Sequence, residues 1–338
     1  MSASPAPRVR IGPFTRPLHR RRLLVSALAA TALVGLALLA LQLGELRIPM
    51  REALDAIVGA RTGFRAIVIT QWRLPRILAA AVFGSAFGVS GAIFQTLTRN
   101  PLGTPDVLGF STGAYTGALV VLVVLGGPWS LVSVGALLGG ALAALLVLAL
   151  SGRSGSVLRL VLIGVGLSAM LSAVNHWLIA RAELEVSLSA SMFGSGSLNG
   201  VAWHEVLPAT IAVLVLMVLV LASARHLPAL ELGEEHARGM GMHVERMRLR
   251  LLLLGIALVA MPTAVIGPVA FVALTAPSIA RRLCGGGLIA SGLVGALLLL
   301  GADALAQRVI APSQLPVGIV TGCVGGLYLV VLLLRGAR

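Results

Sequence analysis

The chain has 338 residues and a mean hydropathy of +0.99; 58% of the residues are hydrophobic and only 11% are charged. No water-soluble core needs that much apolar surface, so a soluble globular domain is excluded and a polytopic protein surrounded by membrane lipid is expected. All 26 basic residues are arginine. Without lysine there is neither a phosphate-binding P-loop lysine nor a Schiff base, so any nucleotide hydrolysis that drives the chain resides on another polypeptide. The net charge of +14 could suggest nucleic acid, but the arginines gather at the ends of apolar runs, where they set membrane topology. No nucleic-acid partner is expected.

In chain order, residues 1–15 are rich in Ser, Pro and Ala without apolar periodicity and read as a disordered cytoplasmic tail. Residues 16–338 read as one integral-membrane domain, all-α, with about ten spans. About 20 residues cross the hydrocarbon core, which places spans near 23–44, 74–97, 106–126, 128–150, 157–180, 205–224, 247–265, 268–283, 287–306 and 315–335. The first is too long for a signal-peptide h-region and is kept as a span. With the N-terminus inside, 18 of the 26 arginines lie on cytoplasmic segments, among them Arg16, Arg20, Arg21, Arg22, Arg246, Arg248 and Arg250. Both termini are then cytoplasmic and the protein is multi-pass in the cytoplasmic membrane. Cys284 and Cys323 read as packing residues rather than a disulfide.

Two connecting segments are long enough to hold structure: 45–71 outside, with an amphipathic stretch from Met50 to Val58, and 225–245 inside. Glycines recur at small-xxx-small spacing, as in Gly84 and Gly88, Gly113 and Gly117, Gly135 and Gly139, and Gly318, Gly322 and Gly326. Such stripes let helix backbones approach closely and point to a tightly packed bundle. Spans two to five and seven to ten would run in opposite senses, raising an inverted-repeat architecture. Phe94 to Leu97 followed by Pro101 loosely echoes Phe271 to Leu274 followed by Pro277.

The most telling connector runs from Gln95 to Gly109, between the second and third spans. It is polar and broken at Asn100-Pro101 and Thr104-Pro105, which membrane tolerates only where protein or a water-filled path surrounds the backbone. A proton- or ion-coupled transporter needs ionisable groups at membrane depth. Only Asp106 at the mouth of the third span and Asp303 near the outer end of the ninth present themselves, with a structural pairing to Arg308 as the other reading of Asp303. His176 lies near an outer end. Ser85, Ser90 and Ser168 lack a matching His and Asp set for an intramembrane hydrolase. His226, His236 and His243 fall in a charged cytoplasmic segment and read as solvated, so no metal site, catalytic residue or cofactor is expected.

That cytoplasmic segment, Leu232 to Met242, suits two short helices meeting at a glycine elbow. Ala237 and Gly239 to Gly241 would let another protein's groove close around it, while Glu234 and Arg238 fix orientation. A merely solvated loop weighs about equally. Outside, Arg73-Leu-Pro-Arg76 opens the second span, with two arginines on one face. They serve either as interfacial anchors or as bidentate donors to carboxylates of an external partner.

In these residues the chain resembles the membrane subunits of ATP-binding-cassette importers for iron-siderophores, haem and cobalamin. The likeness runs in order from Arg73 to Leu334. It takes in Arg73-Leu-Pro-Arg76, Gly88-Val-Ser-Gly91, Gln95, Asn100-Pro-Leu102, Leu108-Gly109, Gly194 to Gly200 before Trp203, Leu232-Gly-Glu234, Ala237-Arg238, Gly241, Gly267-Pro-Val-Ala-Phe271, Ala302-Asp303 and Leu315-Pro-Val-Gly318. The resemblance implies a ten-helix permease that pairs with a second copy or a paralogue, with the translocation path at their interface. It also implies two ATPase subunits docking on Leu232, Gly233, Glu234, Ala237, Arg238 and Gly241, and an extracytoplasmic substrate-binding protein whose acidic residues meet Arg73, Arg76 and Arg308. Gln95, Asn100 and Leu102 would line the path, and a ferric siderophore is the expected cargo. Three positions depart from the family: Ser278 stands where it has histidine, Gln307 where it has arginine, with Arg308 one step later, and Gly325-Gly-Leu-Tyr328 replaces a Gly-Ala-Pro-aromatic run. They suggest a divergent member, half of a heterodimer. The alternative is an ion-coupled secondary transporter using Asp106 or Asp303; a membrane-embedded enzyme is a third class.

Overall fold

Backbone that crosses lipid has to satisfy its own hydrogen bonds, and the apolar runs of this chain do so as helices. The computed structural model describes residues 8–11, 14–17, 20–42, 44, 46–152, 157–233, 238–309 and 314–336. A short antiparallel pair, β1 (Arg8–Ile11) and β2 (Phe14–Pro17), precedes the bundle. It is a local element of the kind that is marginal in water by itself.

The helices follow as α1 (Arg20–Gln42), α2 (Met50–Ile57), α3 (Phe64–Thr98), α4 (Phe110–Val124), α5 (Trp129–Ser151), α6 (Val157–Arg181) and α7 (Leu184–Gly194). After them come α8 (Trp203–Ser223), α9 (Leu227–Leu232), α10 (Val244–Ile266), α11 (Val272–Cys284), α12 (Leu288–Val309) and α13 (Val317–Gly336). Among the described residues, seven helices can cross a membrane by length and composition, and α4 and α13 contain shorter apolar stretches.

Three expected boundaries move. The second span was placed at 74–97, but its helix begins ten residues earlier at Phe64. A π-helical stretch over Val68–Arg73 widens the turn just before Pro75, where the proline has no N–H to donate. The third begins at Phe110 rather than 106, because Pro105–Leu108 form a 3₁₀ turn. In place of a span at 268–283 stands α11, with 13 residues. At 1.5 Å per residue it reaches only about 20 Å, short of the roughly 30 Å hydrocarbon core.

α3 is the central column. Its inner face buries Phe83, Phe87, Ile93 and Phe94, and it packs on α12, α10, α11 and α8. Glycine decides how close it comes to α12. A Cβ at Gly88 would run into the carbonyl oxygen of Ser291, and one at Gly84 would lie 2.5 Å from the Gly295 carbonyl. The same device recurs between α4 and α5, where Gly113 and Gly117 face Gly139 and Gly135. Gly91 of α3 lies against the backbone of Ala273 in α11. The expected stripes are therefore real helix crossings except for the 318–326 series, where Gly318 lies against the turn at Ser195 and Gly196, and Gly322 and Gly326 have nothing within 4 Å. Ser90 Oγ donates across helices to the Gly255 carbonyl at 2.7 Å.

A smaller apolar cluster of Leu41, Ile48, Ala53, Ala56, Val68 and Ile69 seats α2 under the start of α3. On its solvent side Glu52 pairs with Arg61 and with Arg65.

If close approach at the α3–α12 crossing holds the bundle, Gly88→Leu will cost at least about 2 kcal/mol through overpacking. Gly322→Leu, with open space around it, will leave thermal unfolding of the detergent-solubilised chain unchanged. Equal melting temperatures for Gly88→Leu and the parent would refute the assignment.

Candidate functional site

The candidate residues fall into two groups, one at each end of α3. At the end expected to lie outside, taken below as the outer end, Arg73 and Arg76 lie one turn apart where α3 leaves its π-helical stretch. Arg73 donates Nη1 to the Leu41 carbonyl and Nη2 to the Leu46 carbonyl, both at 2.5 Å. It straps the end of α1 and the following segment to α3. Arg76 faces α12 and binds Asp303 through Nε (3.0 and 3.1 Å) and Nη2 (2.8 Å), while its Nη1 donates to Gln314 Oε1 at 2.9 Å. The side chains of Arg76 and Asp303 are 13% and 2% exposed, so this is a buried, bidentate pair.

Two expectations change here. Asp303 pairs with Arg76 and not with Arg308. Gln307 takes up the remaining carboxylate oxygen, donating Nε2 to Asp303 Oδ2 at 2.9 Å. One helical turn separates 303 from 307, which puts the amide on the carboxylate's face, while Arg308 one step later turns outward. Arg308 is exposed and borders an apolar groove of about 440 Å³ with Leu36, Leu305 and Thr321. Of the three arginines expected to meet an outside partner, Arg73 and Arg76 already have internal ones. Sequence reasoning missed the second amide, Gln314, whose only signal was its place just before the Leu315-Pro316 turn.

Beside this cluster opens a cleft of about 450 Å³ lined by Gln71, Trp72, Arg76, Gly200, Trp203 and Gln314. Trp203 Nε1 donates to the Thr70 carbonyl at 2.7 Å, tying the start of α8 to α3. A second backbone junction lies alongside. Ser197 N donates to the Ile266 carbonyl at 2.7 Å and Gly318 N to the Gly196 carbonyl at 3.1 Å. Close backbone packing at this junction accounts for Gly196, Gly267 and Gly318, where a Cβ would meet the carbonyls of Pro268, Phe193 and Ser195.

At the inner end, Gln95 is buried and donates Nε2 to the Leu274 carbonyl of α11 at 3.1 Å. Its Oε1 has no partner among the described residues. α3 ends at Arg99, which adopts the left-handed φ of 50°. Asn100 then turns the chain: its Oδ1 accepts from Leu102 N at 2.9 Å and its carbonyl from Gly103 N at 2.9 Å. Leu102 is exposed at the tip. Asp106 accepts a hydrogen bond from Ser111 Oγ in the first turn of α4. Gln95, Asn100 and Leu102 are thus one continuous strip running from the interior to the inner surface. The two echoing segments touch through Gln95 and Leu274, but Phe94 is helical while Phe271 takes a φ of 66° and packs on Gly325.

The helix that leads into the expected docking elbow, α9, packs against the end of α3. α9 buries Leu227, Ala229 and Leu230, and Arg99 Nη2 reaches the Leu230 carbonyl at 3.5 Å. Around this contact lies a cavity of about 200 Å³ lined by Thr96, Thr98, Arg99, Leu230, Val244 and Arg248. Leu232 closes α9, and Gly233 follows with a φ of 124°. Glu234 and Ala237 lie outside the described residues. Arg238 is exposed, and Gly241 has a φ of 75° with nothing within 4 Å of where a side chain would begin.

Among the described residues, seven helices of membrane length, one of them the glycine-packed column α3, mark a polytopic membrane protein. The FecCD transport family matches residues 31–335, and the chain belongs to that family. It is 43% identical over 325 residues to the ferric enterobactin transport system permease protein FepG of Escherichia coli, covering 95% of this chain and 98% of that one. It is 37% identical over 276 residues to the hemin transport system permease protein HmuU of Yersinia pestis, covering 78% and 82%. Among solved structures, an inward-facing metal-chelate type ABC transporter superposes with a TM-score of 0.83 at 27% identity, covering 93% of this chain and 99% of that one.

Removing one partner of a buried pair strands a charge, at about 3 to 5 kcal/mol, whereas replacing both is far milder. Asp303→Ala will therefore unfold at a clearly lower temperature than the double variant Arg76→Gln with Asp303→Asn. Equal melting of the two would remove the pair from the outer cluster's stability.

Proposed function

We propose that the chain is the membrane permease of an ATP-binding-cassette importer and carries a ferric siderophore across the cytoplasmic membrane. The observation that carries this reading is the match in fold and sequence over nearly the whole chain. Relatives at this identity are named for ferric enterobactin, iron(3+)-hydroxamate and Fe(3+) dicitrate transport. In this reading the chain is multi-pass with both termini inside, hydrolyses nothing itself, and pairs with a second permease chain.

Two ATPase subunits dock at Leu232, Gly233, Glu234, Ala237, Arg238 and Gly241. The open space around Gly241 supports this, since a partner's groove can close on bare backbone there. The seat of α9 on Arg99 supports the coupling: a push on the elbow is delivered to the end of α3. That helix has 35 residues and is roughly 50 Å long, so the push reaches Arg76 and Asp303 at the outer end. The close-packed pairs α3–α12 and α4–α5 are the bodies that move against each other, because helices in backbone contact shift as units. Gln95, Asn100 and Leu102 lie along the path.

Outside, the substrate-binding protein meets Arg308 directly. For Arg73 and Arg76, its acidic groups share guanidiniums that already hold Leu41, Leu46, Asp303 and Gln314. The secondary-transport alternative is disfavoured by the same geometry. Both candidate carboxylates are already engaged within the chain, Asp303 by Arg76 and Gln307 and Asp106 by Ser111.

Gly241→Trp will abolish co-purification of the ATPase subunits while the chain still inserts and remains monodisperse. Siderophore uptake by the assembled complex in proteoliposomes will need ATP and survive a protonophore. Normal ATPase co-purification would move the docking site elsewhere, and uptake that collapses with the proton gradient would overturn the importer reading.

A further inference from the structure

One corner of the molecule gathers arginines that the transport reading does not use. α11 carries Arg281 and Arg282 in its last turn, and the three residues after its end at Cys284, Gly285, Gly286 and Gly287, have φ of 77°, 86° and 123°. The chain thus turns into α12 with no side chains over the bend. The first turn of α1 fills the space alongside. Arg21 Nη2 donates to the Arg282 carbonyl at 3.4 Å. The guanidinium of Arg22 lies over the glycine bend, about 4 Å from where side chains at Gly285 and Gly287 would begin. Arg20, Arg21, Arg22, Arg281 and Arg282 are all exposed.

Among the described residues, none of Arg20, Arg21, Arg22 and Arg282 has a carboxylate partner. This contrasts with Arg61, Arg65 and Arg76, whose charges are met within the chain. Arg21 has an internal task, covering a carbonyl at the end of α11. Arg282 also lies 5.9 Å from the ring of Tyr328, a weak interaction at an exposed site.

The charged corner gives way at once to an apolar wall. Val25 packs against Ala276, Ala280, Cys284, Ala290 and Val294, while Leu24 and Leu28 of α1 are 63% and 69% exposed. Guanidiniums above bare leucines match the two halves of a phospholipid, a phosphate diester above acyl chains. Arginine suits the anionic half, because its planar fork meets two phosphate oxygens at once.

We propose that the corner between α1 and α11 binds an anionic phospholipid. Its phosphate is held by Arg22 and Arg282 beside the glycine bend, and its acyl chains lie along Leu24 and Leu28. The site is independent of the importer reading, and only its assignment to the cytoplasmic leaflet rests on the topology proposed above.

The test titrates the full chain, in neutral phosphatidylcholine nanodiscs, with phosphatidylglycerol, and reads the dissociation constant of the first retained anionic lipid by native mass spectrometry. Each basic residue at an anionic surface supports binding about fivefold, so Arg22→Gln with Arg282→Gln will weaken retention roughly 30-fold. Arg250→Gln, a cytoplasmic arginine on α10 away from this corner, will not change it. Should the glutamine pair fail to insert, Arg22→Lys with Arg282→Lys keeps both charges and loses the fork, and retention will weaken several-fold. Equal retention in the corner variants and the parent overturns the site. So does an equal loss in Arg250→Gln, which would make the effect one of net charge. Displacement of the lipid by millimolar inorganic phosphate would show a free-anion site instead, and would also overturn the proposal.

Discussion

Everything in this molecule hangs on how closely α3 can lie against α12. In lipid there is no hydrophobic gain from packing one apolar helix on another, so contact must come from backbone proximity and polar bonds. Gly84, Gly88 and Gly295 permit the first, and Arg76 with Asp303 supplies the second at the outer end of the same pair of helices. The ion pair is nearly dry and bidentate, and Gln307 and Gln314 take up groups that it leaves open. A crossing of this kind is stiff, because neither helix can slide without driving a carbonyl into a Cα or breaking a buried pair.

The stiffness gives α3 its role. One end of the helix meets α9 through Arg99, and the other carries Arg73 and Arg76, which bind the end of α1 and α12. Between them Gln95 ties the helix to α11, which does not reach across the membrane alone and so presents its first turn and the strained Phe271 inside the protein. A short helix whose N-terminal backbone is buried among α3 and α13 is the arrangement that lipid forbids and a packed path allows. The two backbone junctions at Ser197–Ile266 and Gly196–Gly318 close the outer side of the same region.

Much of this was legible in the sequence. The apolar runs gave most helices to within a few residues, because lipid leaves the backbone only one solution. The glycine spacings gave the crossings at Gly88 and Gly117. What the sequence could not give was where side chains find partners. Arg73 and Arg76 look alike at three-residue spacing, yet the π-helical stretch before Pro75 turns one toward α1 and the other toward α12. Asp303 has an arginine five residues away in the chain, and its partner lies 227 positions distant. The eighth expected span, 268–283, is already short in the sequence, and the turn at Phe271 cuts it further. The open flanks of Gly322 and Gly326 show the converse, a spacing pattern with no helix pressed against it in this chain.

The central claim is that α3 and α12 move as one body while the α4–α5 pair moves relative to them. Spin labels at Trp72 and Leu305 report the first separation, and labels at Leu138 and Leu305 the second, in the assembled transporter with and without ATP. The account predicts an unchanged Trp72–Leu305 distance distribution and a shifted Leu138–Leu305 one. A shift of several ångströms between Trp72 and Leu305 would show that the crossing slides, and would contradict the account.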